Sequence, residues 1–389
     1  MRTRTRHGLH PRTITSDALR ARVARAFAAI PPRPEPTSAA MVSLPGSFEI
    51  PLTTVSLDLN FDANIAPYFA GAPASSAIPM ILDSGNSMLI VPRWEDIMSL
   101  PNSAANYQVL GTGQEPWGCP ANIVRGPINL ATADNEVYTI DNCVFYACTA
   151  DGPGDGPGGA RTANFGAGCL SPWSASDWNT PAGLATPMQA PLSYNSTYPY
   201  VEFNYAAAEQ IHGPAGVPNV QTGSSLTLYQ SMPTGYQMFN VTRNCEWMSL
   251  APMSLSIGAT KTAWPGPAGP PIAMIDTGGG PVFLSDPDGS VYSTAWPDPA
   301  ANPSWTSGST NCESTSDALT IEIGDGTGSY TYTLNPSSWP VSVQGLTLVM
   351  CQMNEYMMGQ RGMNLGGISV LQNSILVDFT NARVGFKTK

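Results

Sequence analysis

The sequence predicts an all-β chain built as two duplicated β-rich lobes. Three observations lead there. The first is punctuation: 37 glycines and 37 prolines in 389 residues, many of them between short runs rich in Ile, Leu, Val and Thr, with little helical periodicity. The second is a motif that occurs twice, "AIPMILDSGNSMLIVP" at 77–92 and "PPIAMIDTGGGPVFLS" at 270–285. Each runs apolar residues, Asp, Ser or Thr, Gly, and then apolar residues again. The third is a second repeated pair in the same order, "NFGAG" starting at Asn164 and "NLGGI" starting at Asn364. These begin 81 residues after Asp83 and 88 residues after Asp276. Two motifs recurring at nearly one offset mark a duplication.

The length suits two domains with a large core. The division expected is a basic segment over 1–37, an N-terminal lobe over 38–212 carrying the first Asp, and a C-terminal lobe over 213–389 carrying the second. Eight Arg residues against Asp17 and Glu35 give residues 1–37 a charge of +6, which leaves −17 of the total −11 on the body. A body of that charge repels nucleic acid and anionic membranes, so neither is an expected partner. The stretch "TITSDALRARVARAFAAIPPRPEP" reads as a capped basic helix before a Pro-rich linker, either a frayed tail or an arm lying over the acidic surface. It lacks the continuous apolar stretch of a secretory signal, which favours the cytoplasm. No apolar run approaches the roughly 18 residues of a membrane-spanning helix.

Asp83 poses the chemical question. A carboxylate set between two buried strands is costly unless paired, and its repeat-mate Asp276 is the expected partner. As separate turns, each Asp-Gly pair would be ordinary turn chemistry. Two in register within a duplicated frame point instead to a carboxyl dyad. Other chemistries find little support. Two of the three histidines, His7 and His10, lie in the basic segment, so a nucleophile–histidine site would rest on His212 alone. The run "DGPGDGPGG" at 151–159 lacks the Lys-Ser/Thr of a phosphate loop. The seven cysteines have no zinc-site spacing, and neither a metal nor a cofactor is implied.

These residues carry a family resemblance. "ILDSGNSMLIVP" and "AMIDTGGGPVFLS" resemble the two Asp loops of pepsin-like aspartic proteases. "EIPLTTVSLDLNF" is similar to that family's opening strands, and "MNLGGISVLQNSILVDFTNARVGF" to its C-terminal pattern. The resemblance spans about residues 45–389 and implies a bilobal pepsin-like fold, its two lobes around a central cleft. It implies Asp83 and Asp276 as catalytic residues, supported by Ser84, Gly85, Asn86, Thr277, Gly278 and Gly279. The hydroxyls of Ser84 and Thr277 would bond across the loop pair, and the glycines would let backbone N–H groups approach the carboxylates. It further implies a Cys312–Cys351 disulfide, which would favour secretion over the cytoplasm.

The sequence also departs from the family around the cleft. Gly279 and Asn86 stand where hydroxyl residues are usual, and loss of such donors predicts a dyad working nearer neutral pH. In "YQVLGTGQEPWG" Leu110 precedes Gly111 and Gly113 where the family's flap carries Tyr. Tyr107, three residues earlier, falls on the opposite face of a strand, Trp117 is the other aromatic candidate for the flap or cleft, and Ile90 replaces a supporting Trp. The expected function is an aspartic endopeptidase, a hydrolase acting on an extended peptide and working as a monomer. The alternative keeps the dyad's acid–base chemistry but turns it on a small molecule, as in a cyclisation, isomerisation or ring opening.

Overall fold

The computed structural model describes residues 46–57, 60–115, 119–149, 163–168, 189–194, 196–205, 219–241, 249–250, 252–257, 260–263, 272–278, 282–285, 312–315, 318–324, 328–335, 348–352 and 362–389. These are mostly β-strand, with only short helical turns such as Trp94–Met98 and Ser103–Asn106. The basic segment 1–37 and the expected lobe boundary at 212/213 lie outside the described residues. No helix among the described residues is long and apolar enough to cross a membrane.

The strands follow from local pattern. "PANIVRGPINLA" alternates apolar and polar residues, and the strand Pro120–Ala131 buries alternate side chains accordingly. Leu319–Gly324 does the same, burying Leu319, Ile321 and Ile323. "NSILVD" sets an Ile-Leu-Val run between polar residues and becomes Asn373–Asp378, a strand buried along its whole length.

A 14-stranded sheet organises the described residues. One side of it draws on distant parts of the chain. Asn373–Asp378 pairs antiparallel with Arg383–Thr388 and with Tyr200–Asn204, and the latter continues through Asn219–Tyr229 to Ser47–Leu57. Beneath lie Phe203, Phe239 and Phe386, all buried. Two carboxylates in this region are fully engaged. Asp378 accepts from Arg383 at 2.7 Å and caps the hairpin turn through Thr380 N and Asn381 N. Glu202 accepts from the Tyr229 and Tyr236 hydroxyls.

The duplicated motifs form one strand pattern twice. Met80–Asp83 runs parallel to Asn164–Gly166, which is antiparallel to Leu89–Val91, which is parallel to Val137–Cys148. In a six-stranded sheet, Ile272–Met274 runs parallel to Gly362–Asn364, which is antiparallel to Val282–Ser285, which is parallel to Leu348–Gln352. The registers coincide as well. Asn164 pairs with Ile81 and Ile90, and Asn364 pairs with Met274 and Phe283, at the same offsets from the two aspartates.

The six-stranded sheet also pairs Cys312 with Cys351 as direct antiparallel partners. Directly opposed residues on such strands have Cα atoms about 4.5–5.5 Å apart, within the range that a disulfide spans. We expect peptide mapping of oxidised protein to find a Cys312–Cys351 link. Closing a loop of roughly 40 residues, it should add about 3–4 kcal/mol to stability. Two alkylatable thiols at these positions after oxidation would contradict this.

Candidate active site

Each aspartate ends or follows a short apolar strand, where a Ser/Thr-Gly turn breaks the ladder and releases backbone groups for other bonds. The turns face each other, and four hydrogen bonds join them. Ser84 N donates to Thr277 Oγ1 at 2.9 Å, and Thr277 N donates to Ser84 Oγ at 3.0 Å. Each hydroxyl then donates onward across the pair, Ser84 Oγ to Ile275 O at 2.9 Å and Thr277 Oγ1 to Leu82 O at 2.7 Å. Both side chains are fully buried, so every bond in this set replaces one that water would otherwise make.

The grip brings the two carboxyls side by side, each Asp-loop glycine lying against the opposite carboxyl. Gly85 N donates to Asp83 Oδ1 at 2.8 Å, and Gly278 N donates to Asp276 Oδ1 at 3.0 Å. Glycine is required at both positions for close approach. A Cβ on Gly85 would lie 2.5 Å from the Asp276 carboxyl carbon, and one on Gly278 would lie 2.5 Å from that of Asp83.

The remaining oxygens are held by two residues to which the sequence reading gave no role. Asn164 Nδ2 donates to Asp83 Oδ2 at 2.6 Å, and Asn364 Nδ2 donates to Asp276 Oδ2 at 2.7 Å. The signal was present, since these are the leading residues of the repeated NFGAG and NLGGI motifs. What was missing was the parallel register that turns a matched spacing along the chain into a contact.

Asn86 stands one step removed from the dyad. Its Nδ2 donates to Asn164 Oδ1 at 3.0 Å and its Oδ1 accepts from Met88 N, so it supports Asn164 rather than Asp83. The donors thought lost from the loops are supplied by the neighbouring strands, and the argument for a near-neutral dyad from missing donors falls away. Gly279 lies outside the described residues. Burial, with the charge of Asp276 beside it, pushes the Asp83 carboxyl well above the ordinary carboxylate range, against the lowering by Asn164 and the Gly85 N–H.

The flap candidates separate. Gln108–Gln114 pairs with Pro120–Arg125 as a hairpin, and the register shifts between Val109 and Gly111, leaving Leu110 as the extra residue of a bulge. Leu110 packs against a small apolar cluster that includes Met88, Ile90, Ile123 and Tyr146, the first two lying directly beyond the first Asp loop. Gly111 sits within the strand, opposite Ile123. Tyr107 is a core residue and not a cleft residue. It is buried against Phe69 and Phe145, its hydroxyl accepting from Ala70 N at 2.7 Å and donating to Pro127 O at 2.9 Å. Trp117 lies outside the described residues.

Thr277→Val keeps the shape of the side chain but leaves Ser84 N and Leu82 O without partners. At about 1–3 kcal/mol per unpaired buried group, urea denaturation should show a loss of roughly 2–5 kcal/mol. A loss below about 1 kcal/mol would mean that the grip contributes little. The chain matches no protein-family model and no curated protein at a significant level, so a reading of this site rests on its own chemistry.

Proposed function

We propose that the chain is an aspartic endopeptidase with a bilobal pepsin-like fold, its lobes corresponding to 38–212 and 213–389. The observation that carries this is the contact between Asp83 and Asp276, each carboxyl bracketed by one Gly N–H and one Asn amide. Two carboxyls so placed cannot both ionise easily, and the pair shares a proton. The charged member takes a proton from water, and the water oxygen bonds to the carbonyl carbon of the peptide. The protonated member gives its proton to the carbonyl oxygen. The resulting gem-diol collapses with cleavage of the C–N bond. The carboxyl that took the water's proton gives it to the leaving nitrogen, and the other carboxylate takes a gem-diol hydroxyl proton, giving a carboxylic acid and an amine. The dyad returns to its singly protonated state without a covalent intermediate, and which Asp holds the proton is a property of the coupled pair.

A second reading, acid–base chemistry on a small molecule, draws on the Tyr107 hydroxyl being used inside the core and on Leu110 at the flap position. It uses the same dyad, since fold alone does not select the substrate.

Asp83→Asn and Asp276→Asn should each lower peptide cleavage by about 10⁴-fold or more, because general base and general acid are each worth roughly 10²–10⁴. The double variant should be little worse than either single one. Tight binding of a statine-type peptide, whose hydroxyl mimics the gem-diol, should be lost in both. Full activity in either single variant would remove the dyad under both readings. A dyad essential for turnover of a small molecule but blind to statine peptides would favour the second.

A further inference from the structure

The two asparagines form a matched set. Asn164 and Asn364 occupy the same register position beside their aspartate strands, are both buried, and aim Nδ2 at the Oδ2 atom of their respective carboxyls. An amide can turn over and present its oxygen instead, but neither of these is free to do so. Asn164 Oδ1 accepts from Asn86 Nδ2, and Asn86 is itself fixed by Met88 N. Asn364 Oδ1 accepts from Gly366 N at 3.0 Å. A flip on either side would set oxygen against carboxylate and N–H against N–H, losing two bonds at once.

The chemical character of the donor matters. A hydroxyl can donate to a carboxylate or accept from a carboxylic acid. The amide nitrogen has no lone pair to offer and can only donate. Its bond is strongest to a charged oxygen and weakens when that carboxyl takes up a proton. Burial and the mutual proximity of the carboxyls work in the opposite direction.

We propose that Asn164 and Asn364 are positioning residues that act as one-way donors. They fix the plane of each carboxyl and keep one member of the dyad ionised into acidic solution. Asn86 is their accessory in the N-terminal half, where a side chain does what the Gly366 backbone does in the C-terminal half. This rests on the dyad reading above and adds what sets the pH range of that site. Among the described residues, Asp276 is the ionisable group facing Asp83, and the surrounding Ser84, Thr277, Gly85, Gly278 and two asparagines carry no charge.

The direction follows from which form each bond favours. Removing a donor to the charged form raises the pH at which that form appears. The test is a carboxyl-carbon NMR titration of protein labelled at aspartate, with the two signals assigned by their loss in Asp83→Asn and Asp276→Asn. Wild type should show two separated steps. Asn164→Leu and Asn364→Leu should each move the lower step up by about 1–2 pH units, the worth of one hydrogen bond to a charged group. Asn164→Ser, which restores a donor, should move it less. If Asn164→Leu does not fold, Asn86→Ala leaves both donors in place but frees Asn164 to turn, and should give a smaller rise of the same sign.

Folded Leu variants that titrate like wild type would overturn the proposal and assign the asparagines to strand cohesion alone. So would a Ser variant that shifts as far as the Leu variant. Two overlapping steps near the ordinary carboxylate range in wild type would instead sink the dyad reading, and this inference with it.

Discussion

Two carboxyl groups stay in contact inside a protein only if the backbone beneath them cannot move apart. Here that restraint is the four-bond grip between Ser84 and Thr277, in which each hydroxyl accepts from the opposite turn's N–H and donates to a carbonyl beyond it. Each bond is worth little in isolation, about 0.5–1.5 kcal/mol net. Together they leave no unpaired group at the crossing point. The two Asp loops belong to strands in different sheets, so the grip also ties together parts of the chain nearly two hundred residues apart. The contact of Gly85 and Gly278 with the opposite carboxyls and the juxtaposition of the aspartates depend on it.

Above the grip the site balances two opposing effects. At Asp83, burial and the charge of Asp276 disfavour ionisation, while the Asn164 amide and the Gly85 N–H favour it. Donors alone would leave two ordinary ionised carboxylates. Burial alone would leave two neutral acids. General acid–base chemistry needs one of each. The brackets around Asp83 and Asp276 match atom for atom, one Gly N–H and one Asn amide to each carboxyl.

Much of this was legible in the sequence because it lies in local pattern. Asp83 and Asp276 announced themselves through a repeated strand–turn–strand signature, and the strand-rich class followed from Gly and Pro punctuation with alternating apolar residues. What escaped was set by register between distant strands. Asn164 and Asn364 stood out as repeat markers, yet only the parallel pairing beside each Asp strand shows that their amides reach the carboxyls. Asn86, expected among the dyad's supporting residues, acts one step removed, through the Asn164 amide that bonds Asp83, and that step too is set by register. Tyr107, an aromatic candidate already expected on the strand face away from Leu110, packs in the core against Phe69 and Phe145.

The central claim is that Asp83 and Asp276 hold one proton between them. Neutron diffraction from deuterium-exchanged crystals grown between the pair's two titration steps tests it most directly, because it locates the deuteron itself. The account predicts a single deuteron on the carboxyl pair, lying between the two side chains, with deuterated Asn164 and Asn364 amides pointing at the Oδ2 atoms. Two bare carboxylates, or two fully deuterated acids, would contradict it.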